Sequence, residues 1–177
     1  RTVRETSPML LQKSCHDMDI ILWLMGRDCK RVHSFGSLRH FTPDNAPAGA
    51  PERCLDGCPH AETCPYYAPA LYMDMRRTGW PVDVITTDLS EAGRRKALQE
   101  GPYGRCVYHC DNDVVDHQVV NMQFKNGGTA QLTMTAFSEE CFREIRLHCE
   151  NGDIAGNMID NILTCNICSF VLEYYML

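Results

Sequence analysis

Residues 119–135, with the sequence VVNMQFKNGGTAQLTMT, decide the fold class of this chain. Apolar and polar side chains alternate on both sides of a turn at Asn126-Gly127-Gly128. The apolar positions are Val120, Met122, Phe124, Ala130, Leu132 and Met134. A period of two predicts strands, and Asn-Gly is a common hairpin turn. The segment therefore predicts an antiparallel hairpin with one apolar and one polar face.

Segments on either side of the hairpin extend the pattern to an α+β fold. Residues 32–38 and 143–149 are typical of strands, and residues 15–26 are typical of a helix. A second helix is predicted with Asp88 or Ser90 as its N-cap and Gly101 at its end. We predict one domain over residues 1–177, with a largely antiparallel open β-sheet covered on one face by helices. A Cys-rich loop insertion interrupts it at about residues 51–69. Residues 161–177 are apolar without a clear period, so they predict no particular element.

Composition narrows the classes of function. The chain has 177 residues and a net charge of −6, which argues against a nucleic-acid or anionic-membrane partner. The densest basic cluster, residues 94–96, is predicted to lie on the solvated face of a helix. No apolar run approaches the ~18–20 residues that cross a bilayer. Eleven cysteines without a signal segment predict a reduced, cytoplasmic protein, and the first residue, which is not Met, leads us to expect a fragment.

Residues 11–26, LQKSCHDMDIILWLMG, combine a polar helix start with an apolar remainder. Because the remainder is apolar on every side, we expect the helix to be buried with its start at the edge of a core. Gln12, His16, Asp19 and Trp23 would share one stripe if the helix begins early enough. His16 could serve as a general acid or base, whereas Ser14 and Asp17 have the spacing of a capping box. Residue types alone favour capping over chemistry.

Several motifs in order resemble the second domain of the Gfo/Idh/MocA oxidoreductases. The pattern Lys-x-x-His-Asp-x-Asp at residues 13–19 precedes an apolar helix, as in that family. Residues 112–118, NDVVDHQ, residues 124–127, FKNG, and the segment 145–156 are similar to that domain's open sheet. The resemblance covers about residues 7–157.

The resemblance implies part of an oxidoreductase that acts on a sugar, cyclitol or related polyol. NAD or NADP would be bound by an N-terminal Rossmann domain that this chain lacks, and no G-x-G-x-x-G occurs in the sequence. His16 and Lys13 would be the catalytic residues, and Asp19 and Gln12 would contact the substrate. His117 follows Asp116 at a strand start and could also face the substrate cleft, although a histidine beside a turn is more often exposed to solvent. The family commonly has an aspartate where this chain has Gln12, so His16 would bind or orient a substrate hydroxyl rather than move a proton. The fragment alone would be inactive, and we expect a homo-oligomer formed through the sheet face.

A cysteine cluster predicts a metal site independently of the resemblance. Cys54, Cys58 and Cys64 lie in a segment bent by glycine and prolines, and Cys106, Cys110 or His60 could supply a fourth ligand. We predict Cys54, Cys58, Cys64 and Cys106 as the ligands. Four thiolates suit structural zinc or an iron–sulfur cluster, although small buried thiols without metal would explain the same residues. The alternative function is therefore a non-catalytic, metal-stabilised binding or assembly module.

Overall fold

The computed structural model describes residues 2–4, 6–26, 28–138 and 141–168, and they form the predicted α+β fold. The chain divides into two compact units, Arg1–Ala136 and Phe137–Leu177. The helices are α1 (Met9–Gln12), α2 (Cys15–Leu24), α3 (Ala68–Tyr72) and α4 (Glu91–Glu100). The strands of the first unit are β1 (Cys29–Ser37), β2 (His117–Phe124) and β3 (Thr129–Thr135). Those of the second unit are β4 (Glu144–Cys149), β5 (Gly152–Asn157) and β6 (Ile162–Ile167).

The predicted hairpin is confirmed as β2 and β3. They are antiparallel, with Val120 opposite Leu132, and β1 pairs antiparallel with the other edge of β2. Gly127 adopts a φ of 89° in the turn, a left-handed conformation that glycine adopts without steric cost. The inward residues of β2 are the buried centre of this unit: Val120, Met122 and Phe124.

Helix α2 covers the inner face of this sheet. Its packed side consists of Met18, Ile21, Leu22 and, just beyond its end, Met25. Gly26 follows with a φ of 86°, as expected for a glycine that ends a helix. The expectation that the helix is buried on every side is wrong, because no residue of α2 is fully buried. Only one side of α2 packs on the sheet, and apolar side chains on the other side remain exposed.

Helix α4 organises the middle of the first unit. The Ser90 hydroxyl accepts the Gly93 N–H at 3.1 Å, so Ser90 rather than Asp88 is the N-cap of this helix. The prediction that residues 94–96 form a solvated basic face is wrong for Arg94, which is 1% exposed. Its guanidinium donates to four backbone carbonyls, and these hydrogen bonds replace the lost hydration. The acceptors are Leu89, Tyr72, Asp74 and Arg77.

The second unit is a separate three-stranded antiparallel sheet in the order β4, β5, β6. The predicted strand at residues 143–149 is observed as β4, and it pairs with β5 across a turn at residues 150 and 151. β6 lies within the terminal run for which the sequence predicts no particular element. Residues 169–177 of that run lie outside the described residues.

Candidate functional site

The polar helix start is divided between two short helices. Gln12 is the last residue of α1, Lys13 is its C-cap, and α2 begins at Cys15. The Ser14 N–H bonds to the Met9 carbonyl at 3.2 Å, one residue further back than in a regular α-helix. Ser14 is buried and makes no side-chain cap hydrogen bond, so the predicted capping box is not formed. Gln12 therefore does not share one continuous helical stripe with His16.

The outer side of α2 combines polar and apolar exposed groups. His16 and Asp19 are exposed there together with Ile20 and Trp23, whose exposures are 46% and 68%. Leu11, just before the break between the helices, is 65% exposed. Exposed apolar groups that lie together beside polar ones are typical of a surface that contacts a partner or ligand. We call His16, Asp19, Ile20 and Trp23 the outer face of α2.

His117 belongs to a different arrangement, at the start of β2. Its Nδ1 lies 2.8 Å from Asp116 Oδ1, and its Nε2 lies 3.4 Å from Ser37 Oγ. Asp116 is 3% exposed, and its Oδ2 accepts backbone N–H groups of Arg39, His40 and Phe41. Burial alone raises the pKa of the Asp116 carboxyl, but the hydrogen bonds from His117 and these N–H groups outweigh it, so the pKa lies below its ordinary value. The carboxylate therefore fixes both the imidazole and the chain after β1.

The structure does not bring His117 together with His16. Side chains alternate between the two faces of a strand, so His117 points away from the face that carries Val120 and Met122. Helix α2 packs on that inner face. His117 instead lies among the polar residues of the outer sheet face, opposite Thr135 of β3 and Ser37 of β1. Within one copy of this unit, the two histidines lie on opposite sides of the sheet.

The predicted metal ligands occupy a segment built from successive tight turns. Backbone hydrogen bonds close turns from Arg53 to Asp56, from Cys58 to Ala61, from His60 to Cys64 and from Cys64 to Tyr67. Gly57 adopts a φ of 78° between the first two turns. Residues 54–67 contain neither helix nor strand. The turns bend this segment around the thiols of Cys54, Cys58 and Cys64.

A short backbone pairing adds the fourth cysteine. Arg53 and Arg105 form an isolated antiparallel bridge, flanked by hydrogen bonds from Cys54 N–H to the Gly104 carbonyl and from Cys106 N–H to the Glu52 carbonyl. Because neighbouring residues of a strand point to opposite faces, Cys54 and Cys106 share the face opposite the two arginines. The pairing therefore brings together two cysteines that are far apart in sequence.

The thiols of Cys54, Cys58, Cys64 and Cys106 line one small cavity of about 20 Å³, together with His60. Burial raises the pKa of the Cys54 thiol, an N–H from Ala68 partly offsets this, and the other three thiols raise the pKa further. Cys110, an alternative fourth ligand, does not line the cavity. Among the residues that the structure describes, no three His, Cys, Asp or Glu side chains lie close enough to hold a single metal ion.

Aromatic residues that the sequence analysis did not select form a wall beside the thiols. Tyr66 and Tyr108 line the cavity, and their ring centroids lie 6.1 Å apart. Burial and the neighbouring Cys64 raise the pKa of both phenols. The Tyr108 hydroxyl lies 3.2 Å from His40 Nε2, and Phe41 packs against Tyr66 with ring centroids 5.1 Å apart. The only sequence signal was that Tyr66 closely follows Cys64.

Three comparisons with known proteins found no match to this chain. No protein-family model matches the chain, and neither a curated protein nor a solved structure was found to match it. In the described part of the chain, no helix is both long and apolar enough to cross a membrane. The resemblance to the Gfo/Idh/MocA oxidoreductases therefore stays a prediction.

Proposed function

We propose that this chain is the substrate-side domain of an NAD(P)-dependent oxidoreductase that acts on a sugar, cyclitol or related polyol. The outer face of α2 is the observation that carries the proposal. A helix whose only role was to cover the sheet would expose mainly polar side chains on its solvent side. Here His16 and Asp19 lie beside exposed Ile20 and Trp23, which suits an active-site edge closed by a second domain.

His16 would bind or polarise the hydroxyl group at the reacting carbon. An imidazole can accept or donate a hydrogen bond near neutral pH, which suits a group that loses or gains a proton. Lys13 and Asp19 would support it, and both are exposed near the start of α2. Gln12 ends the preceding short helix and would contact the substrate from there. His117 is left out of this contact set because it lies on the opposite side of the sheet.

The nicotinamide cofactor would supply or accept the hydride, and residues outside this chain would bind it. Dinucleotide sites place a Gly-rich turn between a strand and a helix so that the backbone can approach the pyrophosphate. The sequence has no G-x-G-x-x-G motif, and its glycines are scattered through turns. This chain would therefore contribute substrate contacts rather than the cofactor site.

The outer face of the first sheet would carry the homo-oligomer. Phe35 is 66% exposed there, and it lies among polar and half-buried residues of β2 and β3. Gln131 donates a hydrogen bond to Asn121 across this face at 3.0 Å. A sheet face with an exposed aromatic group is well suited to pair with a second copy, and this association stays a prediction.

The test uses the full-length gene product that contains this chain. Titration with NADH and with NADPH is expected to show binding of at least one. Turnover is then assayed on a panel of hexoses and cyclitols that includes glucose and myo-inositol. His16→Ala is expected to leave cofactor binding unchanged and to lower kcat/KM about 100-fold, the scale of a lost acid, base or polarising group.

His148→Ala is the matched control, because His148 is an exposed histidine on β4 of the second unit. It should keep the wild-type kcat/KM. Absence of binding to either nicotinamide would overturn the proposed function. Cofactor binding with full turnover in His16→Ala would instead overturn the role of His16.

The second candidate function is a non-catalytic, metal-stabilised binding or assembly module. The convergence of Cys54, Cys58, Cys64 and Cys106 on one cavity favours it. Nicotinamide titration separates the two functions, since the module would bind neither NADH nor NADPH. A thiol-bound metal centre is compatible with either function.

A further inference from the structure

Four thiols from two distant segments meet at one enclosed place in the middle of the first unit. Cys54 and Cys106 are buried, and Cys58 and Cys64 are half-buried. All eleven cysteines of the chain are free thiols, so no disulfide explains why these four lie together. Core packing would be satisfied by a few small apolar side chains and does not require four cysteines around one cavity.

The backbone holds these thiols in place without using their side chains. The turns from Arg53 to Tyr67 and the bridge between Arg53 and Arg105 are closed by main-chain hydrogen bonds. The Arg53 guanidinium also donates to the carbonyls of Leu98 and Gly101 at 2.9 Å, which anchors the segment to the end of α4. The sulfur atoms are therefore available for coordination on a scaffold that is already ordered.

The spacing of the thiols decides which kind of metal centre fits. Zinc–sulfur bonds of about 2.3 Å place four sulfurs about 3.8 Å apart around one ion. The four cysteines line one cavity, but no three His, Cys, Asp or Glu side chains of the described residues lie close enough to hold a single ion. The thiols are thus spaced more widely than a single ion requires. An iron–sulfur cluster is wider because its bridging sulfides separate the cysteine ligands.

The surroundings of the thiols also suit a cluster. Pro47, Pro51, Tyr66 and Tyr108 line the rest of the cavity and restrict solvent. His60 also lines it, but its Nε2 lies 2.8 Å from the Ala48 carbonyl, so that nitrogen is already engaged.

We propose that Cys54, Cys58, Cys64 and Cys106 bind an iron–sulfur cluster that stabilises the turn-rich segment. Iron and inorganic sulfide enter from solution, each of the four thiols loses its proton to solvent, and each resulting thiolate forms one bond to iron. The cluster's role is structural, so its oxidation state need not change. The inference does not depend on the proposed oxidoreductase function.

The first experiment uses the wild-type chain purified without oxygen and without chelator. Iron, acid-labile sulfide and zinc are measured per chain, together with the visible absorption of sulfide-to-iron charge transfer. Equal amounts of iron and sulfide at two or four per chain, with that absorption, are the expected result. One zinc per chain without sulfide would overturn the cluster, as would protein that contains no metal.

Variants then assign the ligands. Cys58→Ser and Cys64→Ser are expected to lose most of the iron and the visible absorption. Cys110→Ser is the matched control, because Cys110 is half-buried and only four positions from Cys106 but does not line the cavity. It should keep the wild-type iron content. Full iron in both Cys58→Ser and Cys64→Ser, or loss of iron in Cys110→Ser alone, would contradict the assignment.

Discussion

The sheet with its covering helix and the middle of the chain are stabilised in different ways. We call β1, β2, β3 and α2 the hairpin region, and residues 43–111 the middle region. Alternating apolar side chains hold the hairpin region together through a buried row at Val120, Met122 and Phe124. In the middle region, backbone turns, two arginine side chains and clustered thiols replace such a row. A periodic sequence pattern thus specifies the hairpin region, whereas the structure of the middle region depends on contacts between residues that are distant in sequence.

Truncation of Phe124 should be the most damaging single change in the hairpin region. Phe124 is 1% exposed and packs in the buried row beneath α2. Phe124→Ala is expected to lower the free energy of unfolding by about 3–5 kcal/mol, since it removes buried apolar area and leaves a cavity. Chemical denaturation measures this. Phe124→Leu should recover most of the loss, because apolar volume is what the position requires.

Val32→Ala is the control for Phe124, because Val32 lies in the same sheet but is 55% exposed. It should change the free energy of unfolding by less than about 1 kcal/mol. Similar losses in Val32→Ala and Phe124→Ala would mean that the buried row does not dominate the hairpin region. The hairpin region would then not differ from the middle region by its dependence on a buried apolar row.

Replacement of the buried Arg94 is the corresponding test of stability in the middle region. Arg94 donates to four carbonyls, so Arg94→Met would leave these acceptors unpaired in a buried site. We expect the free energy of unfolding to fall by about 3 kcal/mol. Arg94→Lys should not restore it, because one ammonium group cannot reach acceptors arranged around a planar guanidinium.

Arg95→Met is the matched control for Arg94. Arg95 is the next residue on α4, is exposed, and pairs only with Glu91 in an i,i+4 salt bridge at 2.9 Å. Exposed pairs of this kind contribute about 0.3–0.5 kcal/mol. If Arg94→Lys were as stable as wild type, position 94 would require a positive charge rather than the hydrogen-bond geometry of a guanidinium. The contrast with Phe124, where a conservative replacement suffices, would then disappear.

The sequence predicted the hairpin region well because its signals are local. Alternation at residues 119–135 placed β2, the turn and β3, and Gly26 marked the end of α2. The burial of Arg94 was not predicted, because its acceptors are backbone carbonyls that carry no sequence signal. The start of α2 at Cys15 was predicted, but the short helix α1 before it was not, because four residues are too few to show a helical period.

For the candidate site, residue spacing indicated which residues could form a site, but not on which face of the fold each side chain lies. The three cysteines at 54–64 were selected from spacing, and the structure brings them together with Cys106 on one cavity. The choice of Cys106 over Cys110 depends on the bridge between Arg53 and Arg105, which no local pattern reveals. His117 was considered a substrate contact because it follows Asp116 at a strand start, but the alternation along β2 places it on the side of the sheet opposite α2 and His16.

Asp116 joins the two regions, and its ionisation offers the smallest but most specific test. Its carboxylate holds His117 of the sheet and the backbone of residues 39–41, where His40 and Phe41 contact the aromatic wall of the thiol cavity. Because its pKa is lowered in the folded chain, its stabilisation is complete above the ordinary aspartate pKa of about 3.9 and is lost as pH falls through the folded pKa. Asp116→Asn should therefore cost about 1–2 kcal/mol at neutral pH and progressively less below about pH 4.

The measurement is the free energy of unfolding of wild type and Asp116→Asn across this pH range, with Asp83→Asn as the control. Asp83 is exposed, so its replacement should leave the pH dependence unchanged. A constant difference between wild type and Asp116→Asn at all pH values would show that shape rather than charge links the regions. A difference that vanishes below the folded pKa would show that the carboxylate's hydrogen bonds connect the periodic sheet to the turn-built middle of the chain.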